Sequence, residues 1–99
     1  MNEQVLEALR DVIDPEIGIN VVDLGLVYGA DVQGNDVHIA LTMTTPACPL
    51  HEYISEAART AVRQHMPQVE HVDVDIVWDP PWSPAMMSAE AKRQLGWSQ

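Results

Sequence analysis

Apolar and polar residues alternate with two different periods along this 99-residue chain, and each change of period marks a predicted element. Residues 3–13 carry apolar side chains three and four positions apart, which predicts an amphipathic helix with Asn2 as its N-cap. Pro15 disfavours helical backbone at Asp14, so we expect the helix to end there. The segment that follows predicts an ordered loop.

Three later stretches alternate with the period of two that is typical of β-strands. Residues 24–32 and 36–43 flank Gly34-Asn35, which predicts a hairpin turn and an antiparallel pair. The first strand has one predicted apolar face: Leu24, Leu26, Tyr28, Ala30 and Val32. The second has Val37, Ile39, Leu41 and Met43 on one face, with His38, Ala40 and Thr42 on the other. The third, residues 69–78, is predicted to point Val72, Val74, Ile76 and Trp78 inward and Asp73, Asp75 and Val77 outward.

After Pro49 the helical period returns and continues to Met66, so residues 49–66 predict the longest helix. A last short helix is predicted between the N-cap Ser88 and Gly96. The second and third strands should be parallel, because a helix connects them. We therefore expect one domain over residues 1–99, with an α+β, two-layer fold in the order α-β-β-α-β-α. Its three-stranded sheet should be mixed, with helices packed on one face.

The charge balance narrows the classes of partner. Five basic residues stand against fifteen acidic ones, which gives a net charge of −10. Nucleic acid and anionic membranes are therefore not expected as partners, because both require a basic surface. The first residues lack the pattern of a signal peptide, and no apolar run reaches the roughly 18–20 residues needed to cross a bilayer. With a single cysteine, the chain is expected to be a cytoplasmic protein.

That cysteine, Cys48, lies in the sequence TMTTPACPLHE, residues 42–52. Proline is favoured at the first position of a helix, so Pro49 makes Cys48 the predicted N-cap of the long helix. The positive end of a helix favours a thiolate, whereas the negative net charge opposes it. A buried and inert thiol at a turn is the alternative, and the residues alone leave both interpretations open.

The number of metal ligands limits what one chain can hold. Cys48 and His51 offer one pair, whereas structural zinc takes about four ligands and an iron–sulfur cluster usually takes four thiolates. A cluster held stably by one chain is therefore not expected. A homodimer would supply two thiols, and a transient or shared site stays open.

Two further segments each allow two interpretations. The acidic residues Asp14, Glu16 and Asp23 are either exposed turn residues or acids that hydrogen-bond or face a metal. The sequence Asp79-Pro80-Pro81-Trp82 is either a rigid turn whose tryptophan covers the core edge, or a lid or exposed anchor for a partner. Met86 and Met87 are expected to fill gaps in the core.

Four stretches together resemble the metal–sulfur cluster biosynthetic family of small SufT/PaaD-like domains. They are DPEIGINVVDLGLVY (14–28), LTMTTPACPL (41–50), VDVDIVWDPPWSPAMMS (72–88) and LGW (95–97). The resemblance implies a fold similar to NifU C-terminal-like domains and a role in assembling iron–sulfur clusters or delivering them to client proteins. It implies a binding site that gathers Asp14, Glu16, Thr44, Thr45 and Cys48. The chain lacks the cysteine-rich C-terminal segment typical of PaaD-like subunits of phenylacetyl-CoA oxygenase systems, which counts against an oxygenase accessory.

The expectation is an assembly factor rather than an enzyme, with Cys48 as a reactive thiolate and a metal contact shared with a partner or a second subunit. Its cargo would be a transient iron–sulfur cluster or iron, with none tightly bound in the isolated monomer. Its partners would be the assembly machinery and client apoproteins. Two alternatives stay open: a small thiol-dependent enzyme or redox protein with Cys48 as nucleophile, and a protein-binding scaffold subunit of a metabolic oxygenase system.

Overall fold

The computed structural model of the chain describes residues 1–15, 17–43 and 51–96. Its elements are α1 (Glu3–Leu9), β1 (Val27–Gln33), β2 (Asp36–Leu41), α2 (His51–His65), β3 (His71–Ile76), a 3-10 turn (Pro84–Met86) and α3 (Ala89–Gln94). This order and the three-stranded mixed sheet confirm the predicted α+β class. No helix in these ranges is long and apolar enough to span a membrane.

The central strand of the sheet is β2, which pairs with both neighbours. It runs antiparallel to β1 across the predicted hairpin, where Gly34 has a φ of 61°. It runs parallel to β3, with Val37 beside Val72 and Leu41 beside Ile76. Both predicted strand directions are therefore confirmed.

The core lies between the sheet and the first two helices. α1 and α2 pack against each other, while α1 contacts β1 and α2 contacts β3. Ten residues of these elements are at most 1% exposed: Val5, Ala8, Leu9, Ala30, Val37, Ile39, Leu41, Ile54, Ala58 and Val62. Burying each of the larger aliphatic side chains contributes about 1.5–3 kcal/mol, so this layer contact is the main source of stability.

β1 begins three residues later than the alternation predicted, and a bulge interrupts it. The register with β2 shifts between Val27 and Gly29, so β1 has one extra residue there. Leu26 and Val27 are consecutive yet both buried, whereas a regular strand would turn one of them outward. The predicted single apolar face from Leu24 to Val32 is therefore wrong at the start of the strand.

α1 ends at Leu9 rather than continuing to residue 13, because a tight last turn follows it and the backbone from the Val12 carbonyl onward bonds to distant residues. The carbonyl of Val12 accepts the N–H of Val21 at 3.0 Å, and the N–H of Asp14 donates to the carbonyl of Ile19 at 3.1 Å. These bonds hold the chain in an extended bridge that is incompatible with a helix. The apolar spacing misled the prediction because Val12 is buried by the bridge rather than by a helix face.

The predicted caps of α1 and α3 are confirmed. The Asn2 side chain accepts the N–H of Val5 at 3.1 Å, and the Ser88 side chain accepts the N–H of Ala91 at 3.1 Å. Gly96 follows α3 with a φ of 77°, a conformation that glycine adopts readily at the end of a helix.

The prediction that Trp78 points inward is wrong, because β3 ends at Ile76 and Trp78 is 46% exposed. Val77 still donates its N–H to the carbonyl of Leu41 at 2.7 Å, and the chain then bends at Asp79. Alternation places a side chain inward only while the strand continues.

Candidate functional site

Of the predicted site residues, Asp14 lies within the described part of the chain. Glu16, Thr44, Thr45 and Cys48 lie outside the described residues, and so does the predicted N-cap position. Their roles therefore stay predictions. The surrounding frame is described, and it consists of the loop that carries Asp14, the end of β2 and the first turn of α2.

The frame lies at one edge of the sheet. Residues 44–50 connect Met43, just after β2, with His51 in the first turn of α2. β3 is parallel to β2, so the C-terminal ends of both strands meet at this edge. In sheets whose parallel strands are connected by helices, this is the edge where ligand sites are commonly built.

Backbone hydrogen bonds attach the acidic loop, residues 10–26, to the same edge. The N–H of Thr42 donates to the carbonyl of Leu26 at 2.8 Å, and the N–H of Leu26 donates to the carbonyl of Val21 at 3.0 Å. The first bond continues the pairing of β1 with β2 beyond the strands, and the second is a turn within the loop. The acidic loop and the chain that enters residues 44–50 therefore belong to one edge.

Asp14 is 4% exposed, so its interpretation as an exposed turn residue is wrong. Its carbonyl accepts the N–H of Ile17 at 3.2 Å and the N–H of Gly18 at 2.7 Å. Gly18 has a φ of 81°, which favours glycine and lets the chain close this tight turn. Burying a carboxylate is costly unless it is hydrogen-bonded or paired, so the position favours a hydrogen-bonding acid over a solvated one.

Asp23 has a structural role in the acidic loop. Its carboxylate accepts the Asn20 side-chain amide at 2.8 Å, and its backbone N–H donates to Asn20 Oδ1 at 2.9 Å. Arg10 Nη1 lies 3.5 Å from Asp23 Oδ1. The Asp23 carbonyl accepts the N–H of Ser88 at 2.7 Å, so this residue joins the loop to the cap of α3.

Trp82 fastens the acidic loop from the other side. The half-buried indole donates its N–H to the carbonyl of Leu24 at 2.7 Å. The structure thus favours the interpretation in which Trp82 covers the core edge over the lid or exposed anchor. Nearby, the hydroxyl of Tyr28 donates to the carbonyl of Pro80 at 2.7 Å.

The acidic loop packs against the C-terminal segment, the part of the chain that follows β3. This contact leaves no room for a side chain at Gly25. This glycine has a φ of 78°, and a Cβ there would collide with the carbonyl oxygen of Met86. Met87 is buried, as predicted for a core methionine, whereas Met86 is 38% exposed and was wrongly predicted. The Sδ atom of Met86 lies 3.4 Å from the hydroxyl of Tyr28. Two of the four stretches that carry the family resemblance, 14–28 and 72–88, therefore pack directly against each other.

Thr42 is a residue that the sequence reasoning missed. It was predicted to share the outward face of His38, but it is 1% exposed. In the part of the chain that the structure describes, its Oγ1 is a buried side-chain atom without a hydrogen-bond partner. A buried hydroxyl in this state costs about 1–3 kcal/mol, and such atoms call for a structural or functional explanation. Strand alternation carries no signal for it, because burial at this edge depends on tertiary contacts.

The first two turns of α2 border a shallow depression of about 300 Å³. It is lined by His51, Glu52, Ser55, Glu56 and Arg59. The His51 side chain is exposed and follows residues 44–50 directly in the chain, so it is accessible as the second donor of the predicted ligand pair.

The fold and the motifs at this edge are those of a cluster-assembly domain, and comparison with known proteins agrees. The sequence profile of the family described as iron-sulfur cluster assembly protein matches residues 2–76. The chain is 40% identical over 97 residues to the Fe-S protein maturation auxiliary factor YitW of Bacillus subtilis, covering 97% of this chain and 94% of that protein. The chain therefore belongs to the iron–sulfur cluster assembly protein family, which confirms the predicted resemblance.

A second relative and a solved structure extend the comparison. The chain is 34% identical over 93 residues to an iron-sulfur cluster carrier protein of Synechocystis, covering 94% of this chain and 26% of that protein. The crystal structure of a domain of unknown function, DUF59, from Bacillus anthracis superposes with a TM-score of 0.91 at 38% identity. The superposition covers 94% of this chain and 89% of that one.

Proposed function

We propose that this protein is an accessory factor in the maturation of iron–sulfur proteins, and that it passes iron or a cluster to client apoproteins through the Cys48 thiolate. One observation carries the proposal. The chain has a single cysteine, in a segment that runs from the end of β2 to α2 at the edge where the acidic loop is attached. The names of the relatives in Bacillus subtilis and Synechocystis support a role in cluster assembly.

A single thiol suits transfer better than storage. An iron–sulfur cluster is usually held by four thiolates, so one chain leaves most of the ligand shell to a partner. An incomplete shell can be completed by the donor and vacated to the acceptor. The matched region makes up 26% of the Synechocystis carrier protein, so in that protein a similar domain shares one chain with a larger part.

Each remaining site residue has a proposed role around the sulfur. The N-terminal end of α2 would favour the thiolate of Cys48 through its unpaired N–H groups and dipole. Thr44 and Thr45 would donate hydroxyl hydrogen bonds to the sulfur or to a bound ligand. Asp14 and Glu16 would border the site as proton acceptors or weak ligands, and the burial of Asp14 within the acidic loop fits a hydrogen-bonding acid.

Acceleration of cluster insertion into an acceptor tests this function. The acceptor is an apo-[4Fe–4S] hydro-lyase, kept under anaerobic conditions with ferrous iron, sulfide and a thiol reductant. Its regained activity is followed with wild-type protein, with Cys48→Ser, and without protein. We expect wild type to accelerate the recovery and Cys48→Ser to leave the rate at the value without protein, because no thiol remains in the chain.

The control variant moves the thiol to the far end of α2. Gln64 is exposed in the last turn, so Cys48→Ser combined with Gln64→Cys keeps one thiol and the core contacts. We expect this variant to be as inactive as Cys48→Ser, although its circular dichroism matches the wild type. Equal acceleration by wild type and Cys48→Ser would contradict the proposal, and rescue by Gln64→Cys would show that thiol position is irrelevant.

A further inference from the structure

The basic side chains are confined to helices and helix caps, whereas acidic side chains occur on helices and strands alike. All five lysine and arginine residues lie on helices or helix caps: Arg10, Arg59, Arg63, Lys92 and Arg93. The described strands contain neither lysine nor arginine, but they carry four aspartates: Asp31, Asp36, Asp73 and Asp75. The strong negative charge of the molecule is therefore uncompensated on the sheet side.

The four aspartates share the outer face of the sheet, which points away from α1 and α2. We call this the acidic face, and its exposed residues are Asp31, Gln33, Asp36, His38, His71, Asp73 and Asp75. Asp31, His38 and Asp73 lie opposite one another on the three strands. His38 Nε2 lies 2.7 Å from Asp75 Oδ2, so this histidine contacts another residue of the face.

The acidic face is exposed to solvent, and the groove on it is shallow. A groove of about 270 Å³ runs over it, lined by Asp31, Gln33, Asp36, Val37, His38 and Asp73. In the next row, Gly29 lies opposite Ala40. A Cβ at Gly29 would make an ordinary contact with Ala40 at 3.5 Å, so packing does not require glycine there. Both small residues are partly exposed.

We infer that the acidic face is a docking surface for a lysine- or arginine-rich segment of a partner protein. This inference rests on the proposed function, because the partner would be a client or a protein of the assembly machinery. Charge complementarity of this kind accelerates encounter and suppresses wrong partners. Four other occupants are disfavoured at this face.

A second copy of this chain would bring four aspartates against four, and like charges across an interface are costly. Nucleic acid and anionic membranes carry the same sign of charge as the face. Within residues 1–15, 17–43 and 51–96, no group of three or more His, Cys, Asp or Glu side chains could hold a metal ion. A basic protein segment is the occupant that these charges favour.

Binding of a defined peptide tests the inference. The probe is a fluorescein-labelled ten-residue peptide of alternating lysine and valine, which places lysines on one side of an extended chain. Its Kd is measured by anisotropy with wild type, with Asp31→Asn/Asp73→Asn/Asp75→Asn, and with Glu3→Gln/Glu56→Gln/Glu90→Gln. The last variant removes the same charge from exposed helix positions. A matched peptide of alternating glutamate and valine serves as the negative control.

We expect the face variant to bind the lysine peptide about tenfold more weakly, since each lost exposed pair contributes a modest share of the affinity. The helix variant should stay within about twofold, and added salt should weaken wild-type binding. Equal losses in the two variants would overturn the inference, because net charge alone would explain them. Wild-type affinity in the face variant would overturn it as well.

Cys48→Ser separates this inference from the proposed function. The face does not include the thiol, so Cys48→Ser should bind the peptide with the wild-type Kd. Loss of acceleration without loss of peptide binding would support both proposals. The wild-type protein could accelerate hydro-lyase reactivation while the peptide binds the face variant and the helix variant equally well. That result would reject the docking surface and leave the transfer function standing.

Discussion

The two faces of β2 come from alternate residues of one strand, yet they differ in burial and in polarity. On the inner face, Val37, Ile39 and Leu41 are at most 1% exposed and lie in the core beneath α1 and α2. On the outer face, His38 is exposed and belongs to a surface whose neighbours are mostly aspartates. The inner face is therefore required for folding, whereas the outer face is free to take part in binding.

Thr42 shows where this division ends. It continues the outer face by alternation, but it is buried at the edge where β2 leads into residues 44–50. The edge is thus neither core nor open surface. The acidic loop joins it through the hydrogen bond from the Thr42 N–H to the Leu26 carbonyl.

The largest expected effect comes from the inner face. Replacing Ile39 with alanine should lower the free energy of unfolding by about 3 kcal/mol, because it opens a cavity in a fully buried layer. His38→Ala, one position away, should change it by less than about 0.5 kcal/mol. Urea unfolding followed by circular dichroism measures both. Similar losses for the two variants would break the distinction between the faces.

A smaller loss is expected at the contact between the acidic loop and the C-terminal segment. Gly25→Ala should cost about 2 kcal/mol, because a Cβ meets the Met86 carbonyl and the φ of 78° is unfavourable. Gly34→Ala is the matched control, since Gly34 also has positive φ but nothing lies within 4 Å of its added Cβ. It should cost about 1 kcal/mol in thermal or urea unfolding. Equal costs would mean that the packing against Met86 contributes nothing.

Thr42 should respond in the opposite direction. Thr42→Val keeps the shape and removes the hydroxyl without a partner, so the free energy of unfolding should rise by about 1 kcal/mol. Thr42→Ser keeps the hydroxyl and loses a buried methyl group, so stability should fall by about 0.8 kcal/mol. Thermal unfolding distinguishes the two signs. A destabilised Thr42→Val would mean that the hydroxyl has a partner in solution.

The smallest effect on stability is expected on the acidic face. Asp73→Asn combined with Asp75→Asn should change the free energy of unfolding by less than about 0.5 kcal/mol, because both side chains are exposed. Chemical denaturation at low and moderate salt provides the measurement. A large loss would show that these residues stabilise the sheet, and it would weaken their assignment to docking.

The periodicity of apolar residues was sufficient to predict the helices and strands, because the pattern that specifies them is local in the sequence. The buried positions of β2 and of α2, including Ile54 and Val62, follow directly from periods of two and 3.6 residues. The caps Asn2 and Ser88 were also predictable, because a capping side chain bonds three residues ahead. Both kinds of feature depend on residues that are close in the sequence.

The errors arose where distant residues decide the outcome. α1 stops early because Val12 bonds to Val21, and Trp78 lies outside because the strand ends at Ile76. The burial of Asp14 likewise depends on a turn closed by Gly18. The site residues were named through the combination of motifs, since neither period nor charge distinguishes a reactive cysteine from an inert one. Their mutual geometry stays a prediction.

The central claim is that Cys48 carries the transfer step while the outer face affects only association. The most direct test is the rate of hydro-lyase reactivation as a function of acceptor concentration for three proteins: wild type, Cys48→Ser and Asp31→Asn/Asp73→Asn/Asp75→Asn. We predict that the face variant reaches the wild-type maximal rate, whereas Cys48→Ser stays at the rate without protein at every concentration. Recovery of Cys48→Ser at saturating acceptor would contradict the account.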